Sequence, residues 1–238
     1  MKALLRLNYY MIGGYKIVLA VATILFFVLL FPLSRRWDAS FTVILSLNFG
    51  AAIGFTPVGI EKAESVSRWR SYAKTLPYTR EQFVDAKYLF SLLSAAAAAL
   101  LGAVMLPLLM LRNPEAVSAL TYAPSATEFS LMNAALAAAI VLYAAAIHYP
   151  SYFRRTGGIV LFAVGFSAFI FGFGVIFFPK YMMSMSYMMS LSRGEREPLT
   201  PFVRCMPYLL LAGSAAGCLL SWLYSRKTYC RRKRRRAA

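Results

Sequence analysis

The sequence is poor in charged residues and nearly lacks histidine. Charged side chains make up 15% of its 238 residues, whereas soluble domains contain about 25%. Hydrophobic residues make up 60%, and a soluble protein of this length cannot bury that much apolar surface. The three cysteines, Cys205, Cys218 and Cys230, form no C-x-x-C pair and are most simply free thiols. These deficits exclude a disordered chain, a disulfide scaffold and a soluble globule, and they indicate an integral membrane protein.

Motifs of catalysis and of ion coupling are also missing. The nine Asp and Glu residues all lie outside the long apolar runs, so the sequence lacks the intramembrane carboxylates that proton- and sodium-coupled transporters use. It contains no H-E-x-x-H, no G-x-S-x-G and no G-x-x-x-x-G-K-[ST] motif. His148, at the end of an apolar run, is more typical of an interfacial residue than of a proton relay. We therefore expect a chain that is not an enzyme and that binds no metal, cofactor or ATP itself.

Six apolar runs are long enough to cross a membrane as helices. They cover residues 15–33, 41–60, 88–111, 129–149, 159–178 and 206–224. Most of the 26 Lys and Arg residues fall on the side of the N-terminus, and the positive-inside rule therefore places both termini in the cytoplasm. The predicted fold is an all-α integral membrane protein, with a single transmembrane domain over residues 1–225 and a basic tail over residues 226–238.

The basic tail contributes strongly to the net charge of +17. Its Lys and Arg residues predict an anchor on anionic lipid headgroups, where each contributes about 1 kcal/mol near the membrane surface. In a soluble protein such charge would suggest nucleic acid, but here no interleaved aromatic pattern and no nucleic-acid-binding fold accompany it. The expected partner of the tail is therefore anionic lipid, and we expect no nucleic-acid binding.

Glycines recur at four-residue spacing in two of the spans. Gly50 and Gly54 form one G-x-x-x-G pattern, and Gly213 and Gly217 form another. Such patterns let helix backbones approach closely. They predict tight helix packing, either within the chain or between two copies of it.

The loop between the second and third spans carries the most informative pattern. Its apolar residues recur at helical spacing, at Val66, Trp69, Tyr72 or Ala73, and Leu76. Residues 61–76 are therefore predicted to form an amphipathic helix at the membrane surface, which Pro77 ends. Thr79 is a suitable N-cap for a second helix that continues into the third span. On the residues alone, this element is either a docking surface for a partner or a connector without one.

The segment before the sixth span is apolar but too short to cross the membrane. Residues 179–189 contain five methionines and predict a short outer or re-entrant helix between the fifth and sixth spans. Flexible methionines line surfaces that accept varied apolar partners, although plain interfacial packing is the default and thioethers also bind copper(I). The residues considered for an outer gate are Tyr181, Met182, Met185 and Met189.

The loop between the second and third spans also resembles the signature of small ABC-2-type permeases, the six-span membrane subunits of the kind found in the phenol-soluble modulin exporter. The matching residues are Glu64, Trp69, Tyr72, Leu76, Pro77, Arg80, Val84, Lys87 and Tyr88. The second acid of the family's acidic pair is replaced by Ser65 in this chain. Residues 1–11 are similar to the family's N-terminal interfacial helix, in which Leu4, Leu5 and Leu7 would face lipid.

This resemblance implies a non-catalytic permease subunit in the cell membrane of a bacterium. Two membrane subunits, identical or paralogous, would form the pathway, and separate ABC ATPase subunits would bind ATP and Mg. The loop 61–80 would be the coupling helix, which seats the permease on the ATPase.

The resemblance also implies a role for each part of the loop. Trp69 and Tyr72 would anchor the helix between membrane and ATPase, and Leu76-Pro77 would fix its turn. The basic residues Arg80 and Lys87 would pair with ATPase acids, with lipid headgroups, or with the nearby Glu81 and Asp85.

The expected function is export of an apolar or amphipathic substrate, such as a peptide, a lipid-like compound or an antibiotic. The alternative is a membrane assembly or immunity factor that transports nothing itself. Substitution of Leu76 and Pro77 separates the two hypotheses, because it alters ATP hydrolysis only if the loop couples an ATPase to the membrane subunit.

Overall fold

The computed structural model describes residues 2–11, 50, 53–54, 56–66, 78–112, 126–154 and 201–231. Nearly all of these residues belong to five helices: α1 (Lys2–Met11), α2 (Thr56–Val66), α3 (Arg80–Arg112), α4 (Ala126–Arg154) and α5 (Pro201–Arg231). No strand occurs among the described residues. The prediction of an all-helical chain is therefore confirmed for this part of the molecule.

Three of the helices contain stretches that are long and apolar enough to cross a membrane, namely Arg80–Val104, Ser130–Phe153 and Cys205–Tyr229. They correspond to the predicted third, fourth and sixth spans. Each helix extends past its predicted apolar run at both ends, because helical hydrogen bonding continues into flanking polar sequence. The predicted first and fifth spans, and most of the second, lie outside the described residues. The total of six spans therefore stays a prediction.

Helix α4 is the central helix of the described bundle and packs against both α3 and α5. In the apolar stretch of α4, 67% of the residues are buried, compared with 33% in that of α3 and 22% in that of α5. Its middle contains small, fully buried side chains such as Ala137, Ala139 and Ala144. Alanine combines high helix propensity with low volume, so neighbouring backbones can come close to this helix.

Two glycines show how closely the neighbours approach α4. A Cβ atom added at Gly50 would lie 2.9 Å from the carbonyl oxygen of Ala137, and one added at Gly102 would lie 2.9 Å from that of Asn133. The first G-x-x-x-G pattern therefore serves packing within the chain. Around Gly213, in the second pattern, the described residues leave open space within 4 Å. The same sequence pattern thus has two different surroundings in one molecule.

Helix α3 begins with a capping box, in which two residues satisfy each other's backbone amides. The amide of Thr79 donates to Oε1 of Gln82 at 3.0 Å, and the amide of Gln82 donates to Oγ1 of Thr79 at 3.2 Å. The amide of Phe83 donates to the carbonyl of Thr79 at 3.1 Å. The predicted N-cap is confirmed, and it fixes the start of α3 immediately after the loop.

Helix α1 packs against α2 and α3 along one side. Leu4 is buried in the hydrophobic core, and Asn8, one turn later on the same side, donates from Nδ2 to the carbonyl of Ala86 at 3.5 Å. Tyr9 and Tyr10 are exposed. The expectation that Leu4 faces lipid is therefore wrong, because Leu4 shares its face with a polar residue that bonds to α3.

Candidate functional site

The described residues of the loop signature lie together at one end of the bundle. This end, termed the loop end, comprises the last turns of α2, α4 and α5 and the first turns of α3. Five of the nine signature residues are described, namely Glu64, Arg80, Val84, Lys87 and Tyr88, and all except Arg80 are buried. The remaining signature residues, Trp69, Tyr72, Leu76 and Pro77, lie outside the described residues, as do Tyr181, Met182, Met185 and Met189 of the predicted outer gate.

A buried ion pair joins the two sides of the loop. Nζ of Lys87 on α3 contacts Oε1 of Glu64 on α2, and the two side chains are 1% and 0% exposed. The hydroxyl of Tyr152 on α4 donates to the other carboxylate oxygen of Glu64. We term these three residues the ionic joint. It connects three helices through one carboxylate, whose two oxygens each have a separate partner.

The surroundings of Lys87 are aromatic. Its ammonium lies 5.4 Å from the ring centroids of both Phe83 and Tyr152, within the range in which a ring face attracts a cation. The hydroxyl of Tyr149 donates to the backbone carbonyl of Lys87 at 3.2 Å and shares a hydrogen bond with Ser91 at 3.0 Å. The lysine is thus held by an anion, by two rings and through its own backbone.

A second polar contact lies between α2 and α4. Nε2 of His148 lies 3.0 Å from Oε2 of Glu61, an ion pair when the imidazole is protonated. The imidazole is fully buried, whereas the carboxylate is 23% exposed. Glu61 precedes Glu64 by three residues and His148 precedes Tyr152 by four, so both contacts lie along one helical turn. Helices α2 and α4 are therefore connected twice at the loop end.

A separate polar cluster joins α3 to α5. The hydroxyl of Tyr88 shares hydrogen bonds with Ser221 Oγ at 2.6 Å and with Ser225 Oγ at 2.9 Å. Nearly one turn earlier on α3, Oδ1 of Asp85 accepts a hydrogen bond from Nε1 of Trp222 at 2.7 Å. The first turns of α3 are consequently bonded to two successive turns of α5 and do not rest on it through apolar contacts alone.

An exposed group of contacts completes the loop end. Arg226 on α5 pairs with Glu81 on α3, and their side chains are 40% and 50% exposed. Arg80 donates to the backbone carbonyl of Tyr229 at 3.3 Å and lies 5.3 Å from the centre of its ring. Among the partners expected for Arg80 and Lys87, the structure places neither residue on Glu81 or on Asp85.

Tyr78 lies partly buried at the loop end. Its ring stacks on that of Phe83, with centroids 5.9 Å apart. Burial raises the pKa of Tyr78 to about 12, and the nearby Tyr229 and Glu64 add to the rise. The phenol therefore stays neutral at physiological pH, as expected beside a carboxylate that is shielded from water.

Sequence reasoning found one half of this site and missed the other half. The signature contains Glu64 and Lys87, but nothing in it points to Tyr152 or Tyr149 on α4, and His148 is predicted to be merely interfacial. The missed signal is compositional. The end of an alanine-rich span carries a His and two Tyr within five residues, and polar groups at that density near a membrane need partners.

The described residues contain no group of three or more His, Cys, Asp or Glu side chains that could hold a metal ion. The site is therefore described by ion pairs and hydrogen bonds between helices. Such an arrangement fixes the relative positions of helices.

The long apolar helices define a multi-pass helical membrane protein. Residues 3–229 match the protein family described as ABC-2 family transporter protein. The chain therefore belongs to the ABC-2 family of transporter proteins, and it is a membrane permease subunit of an ABC transporter, a component that associates with ABC ATPase partners. Comparison with curated proteins and with solved structures found no match.

Proposed function

We propose that this chain forms the translocation pathway of an ABC exporter and is coupled to its ATPase subunits through the loop 61–80. The observation that carries the proposal is the closure of this loop at its base, where Glu64 on one side is paired with Lys87 on the other. A loop held at both ends presents its middle to a partner as a defined surface, whereas a flexible tether would absorb any force applied to it.

The energy for transport comes from the partner in this proposal. The sequence contains no phosphate-binding G-x-x-x-x-G-K-[ST] loop, so ATP and Mg are bound by the ATPase subunits. Trp69 and Tyr72 anchor the coupling helix between the membrane interface and the ATPase, and Leu76-Pro77 forms the turn that enters the ATPase. The loop end, the basic tail and both termini then lie in the cytoplasm of a bacterial cell, with the tail on anionic lipid.

The substrate proposed is apolar or amphipathic. Large apolar side chains are exposed along α3 and α5, including Leu92, Leu93, Leu100, Leu209 and Leu220. Two permease subunits, identical or paralogous, would enclose a pathway lined by such faces, which suits a peptide, a lipid-like compound or an antibiotic with a large apolar part. The outer gate of this pathway is assigned to Tyr181, Met182, Met185 and Met189.

Purification of the tagged chain from its native membranes in mild detergent tests the proposal. We expect an ABC ATPase to be recovered in a fixed ratio with the wild-type chain, and mass spectrometry of the same sample identifies a second copy or a paralogue. The double variant Leu76→Ala, Pro77→Ala should lose the ATPase or leave its rate of ATP hydrolysis unaffected by the permease, because the turn that enters the partner is altered.

Leu131→Ala is the matched control, since Leu131 is an exposed apolar residue near the start of α4, at the opposite end of that helix from the loop end. It should behave as the wild type in recovery and in ATP hydrolysis. Absence of any ATPase after cross-linking through the loop would contradict the proposal and favour the assembly or immunity factor. A stimulation of ATP hydrolysis by hydrophilic peptides, without a response to amphipathic ones of equal length, would contradict the substrate class alone.

A further inference from the structure

The ionic joint lies where the loop meets the membrane helices. Glu64 precedes the loop's central residues 67–77 and Lys87 follows them, so their contact closes the loop at its base. Tyr152 brings in α4, the central helix of the described bundle. Any displacement of the loop that reaches α2 or α3 therefore reaches these three side chains.

Burial separates this joint from a docking surface. The side chains of Glu64 and Lys87 are 0% and 1% exposed, and neither is accessible to a protein that approaches the loop from outside. Both residues belong to the signature that predicts contact with the ATPase. Their position gives them a role inside the permease, where they join helix to helix.

The chemistry of the joint makes it resist separation. A buried charge that loses its partner is strongly destabilised, because it has neither water nor a counter-ion. The Glu64 carboxylate uses both oxygens, one for the Lys87 ammonium and one for the Tyr152 hydroxyl. Helix α2 therefore cannot slide along α3 or α4 without exposing an unpaired charge, and the three helices move together at this point.

The contact between His148 and Glu61 supports the same arrangement. It lies one turn from the contact between Tyr152 and Glu64, on the same two helices. The two contacts give α2 a second point of proximity to α4 beside the ionic joint, one helical turn away.

We propose that Glu64, Lys87 and Tyr152 are positioning residues that transmit the ATP-driven displacement of the loop to α3 and α4 as one unit. The proposal rests on the proposed function, in which the loop contacts the ATPase. It assigns the signature residues Glu64 and Lys87 to transmission within the membrane, and it adds Tyr152, which the signature does not contain.

Hydrogen–deuterium exchange on the purified permease–ATPase complex tests this inference. Exchange is compared between the nucleotide-free complex and the complex trapped with ATP and vanadate, over the loop 61–80 and over residues 83–95 and 145–154 of α3 and α4. In the wild type we expect a nucleotide-dependent change in all three regions. In Tyr152→Phe the loop should still respond, whereas the response of α3 and α4 should fall by about threefold, which corresponds to the average interhelical hydrogen bond of about 0.6 kcal/mol in a membrane bundle.

The variants separate transmission from folding. Tyr152→Phe removes a single oxygen and retains the ring, and recovery of the ATPase with it is expected at the wild-type ratio. Glu64→Gln should show the larger loss of response in α3 and α4, and the exchange of partners in Glu64→Lys, Lys87→Glu should restore part of it. Tyr143→Phe is the matched control, since it removes the same atom from α4 outside the joint and should leave every response unchanged.

The possible failures are distinguishable. An unaltered response of α3 and α4 in Tyr152→Phe and in Glu64→Gln, with the ATPase bound, would overturn the role of the joint while leaving the proposed function intact. A wild-type complex whose loop does not respond to nucleotide, or a chain that recovers no ATPase, would overturn the proposed function itself. If Glu64→Gln does not assemble, Tyr152→Phe decides the question on its own.

Discussion

Two ion pairs near the start of α3 both join a carboxylate to a basic side chain, but they differ in burial. Lys87 pairs with Glu64 where both side chains are excluded from solvent, and Glu81 pairs with Arg226 where the side chains are 50% and 40% exposed. Breaking a buried pair by removing one partner costs about 3–5 kcal/mol, whereas exposed pairs contribute about 0–1 kcal/mol. A glutamate paired with a basic side chain thus forms a structural joint in one place and a weak surface contact nearby.

The largest effect is expected from Lys87→Met. This variant keeps an unbranched side chain of similar length and removes its charge, which leaves the Glu64 carboxylate buried without the ammonium group that balances it. We expect the free energy of unfolding, measured by SDS titration in mixed micelles, to fall by about 3–5 kcal/mol. Arg226→Met, at the exposed pair, should lower it by less than about 1 kcal/mol.

The double variant Glu64→Gln, Lys87→Met provides the control for this prediction. It removes both charges, so most of the stability lost in Lys87→Met should return. If Lys87→Met and Arg226→Met had equal effects, burial would not be what distinguishes the two pairs.

Two glycines show a similar contrast between a tightly packed position and an open one, without any charge. A Cβ at Gly50 would lie 2.9 Å from the carbonyl oxygen of Ala137, whereas one at Gly213 meets no atom of the described residues within 4 Å. Gly50→Ala should therefore lower the free energy of unfolding by about 1–3 kcal/mol, because rigid backbone has to move. Gly213→Ala should leave it unchanged or raise it by up to about 1 kcal/mol, since alanine is the better helix former.

Thermal unfolding followed by size-exclusion chromatography in detergent gives the ranking of the two glycine variants. A loss of stability or of dimer in Gly213→Ala would show that a partner helix occupies the space beside Gly213. The second G-x-x-x-G pattern would then serve an interface outside the described bundle, as the sequence allows.

The sequence predicted what depends on short-range pattern. Apolar runs gave three spans that the structure contains, and Thr79 gave the start of α3. The partners of Lys87 could not be predicted, because Glu81 and Asp85 are nearer in sequence than Glu64, and the choice depends on how α2 and α4 pack. Tyr152 and His148 were missed for the same reason, since only tertiary packing brings α4 to the loop end.

The smallest effect is expected from Tyr88→Phe, which tests whether burial or charge determines the cost of breaking a contact. Tyr88 is as deeply buried as the ionic joint, but it is neutral, and its hydroxyl is bonded to Ser221 and Ser225. In Tyr88→Phe the ring remains and Ser221 keeps its bond to the carbonyl of Ala146 at 2.8 Å. The free energy of unfolding should therefore fall by only about 1 kcal/mol, since each of the two lost interhelical hydrogen bonds contributes about 0.6 kcal/mol on average in a membrane bundle. SDS titration of this variant beside Lys87→Met makes the comparison, and Tyr88→Leu, which also removes the ring, should lose more stability.

An equal loss of stability in Tyr88→Phe and Lys87→Met would mean that any buried polar contact at the loop end is equally costly to break. The ionic joint would then be no stronger than the neutral contacts around it.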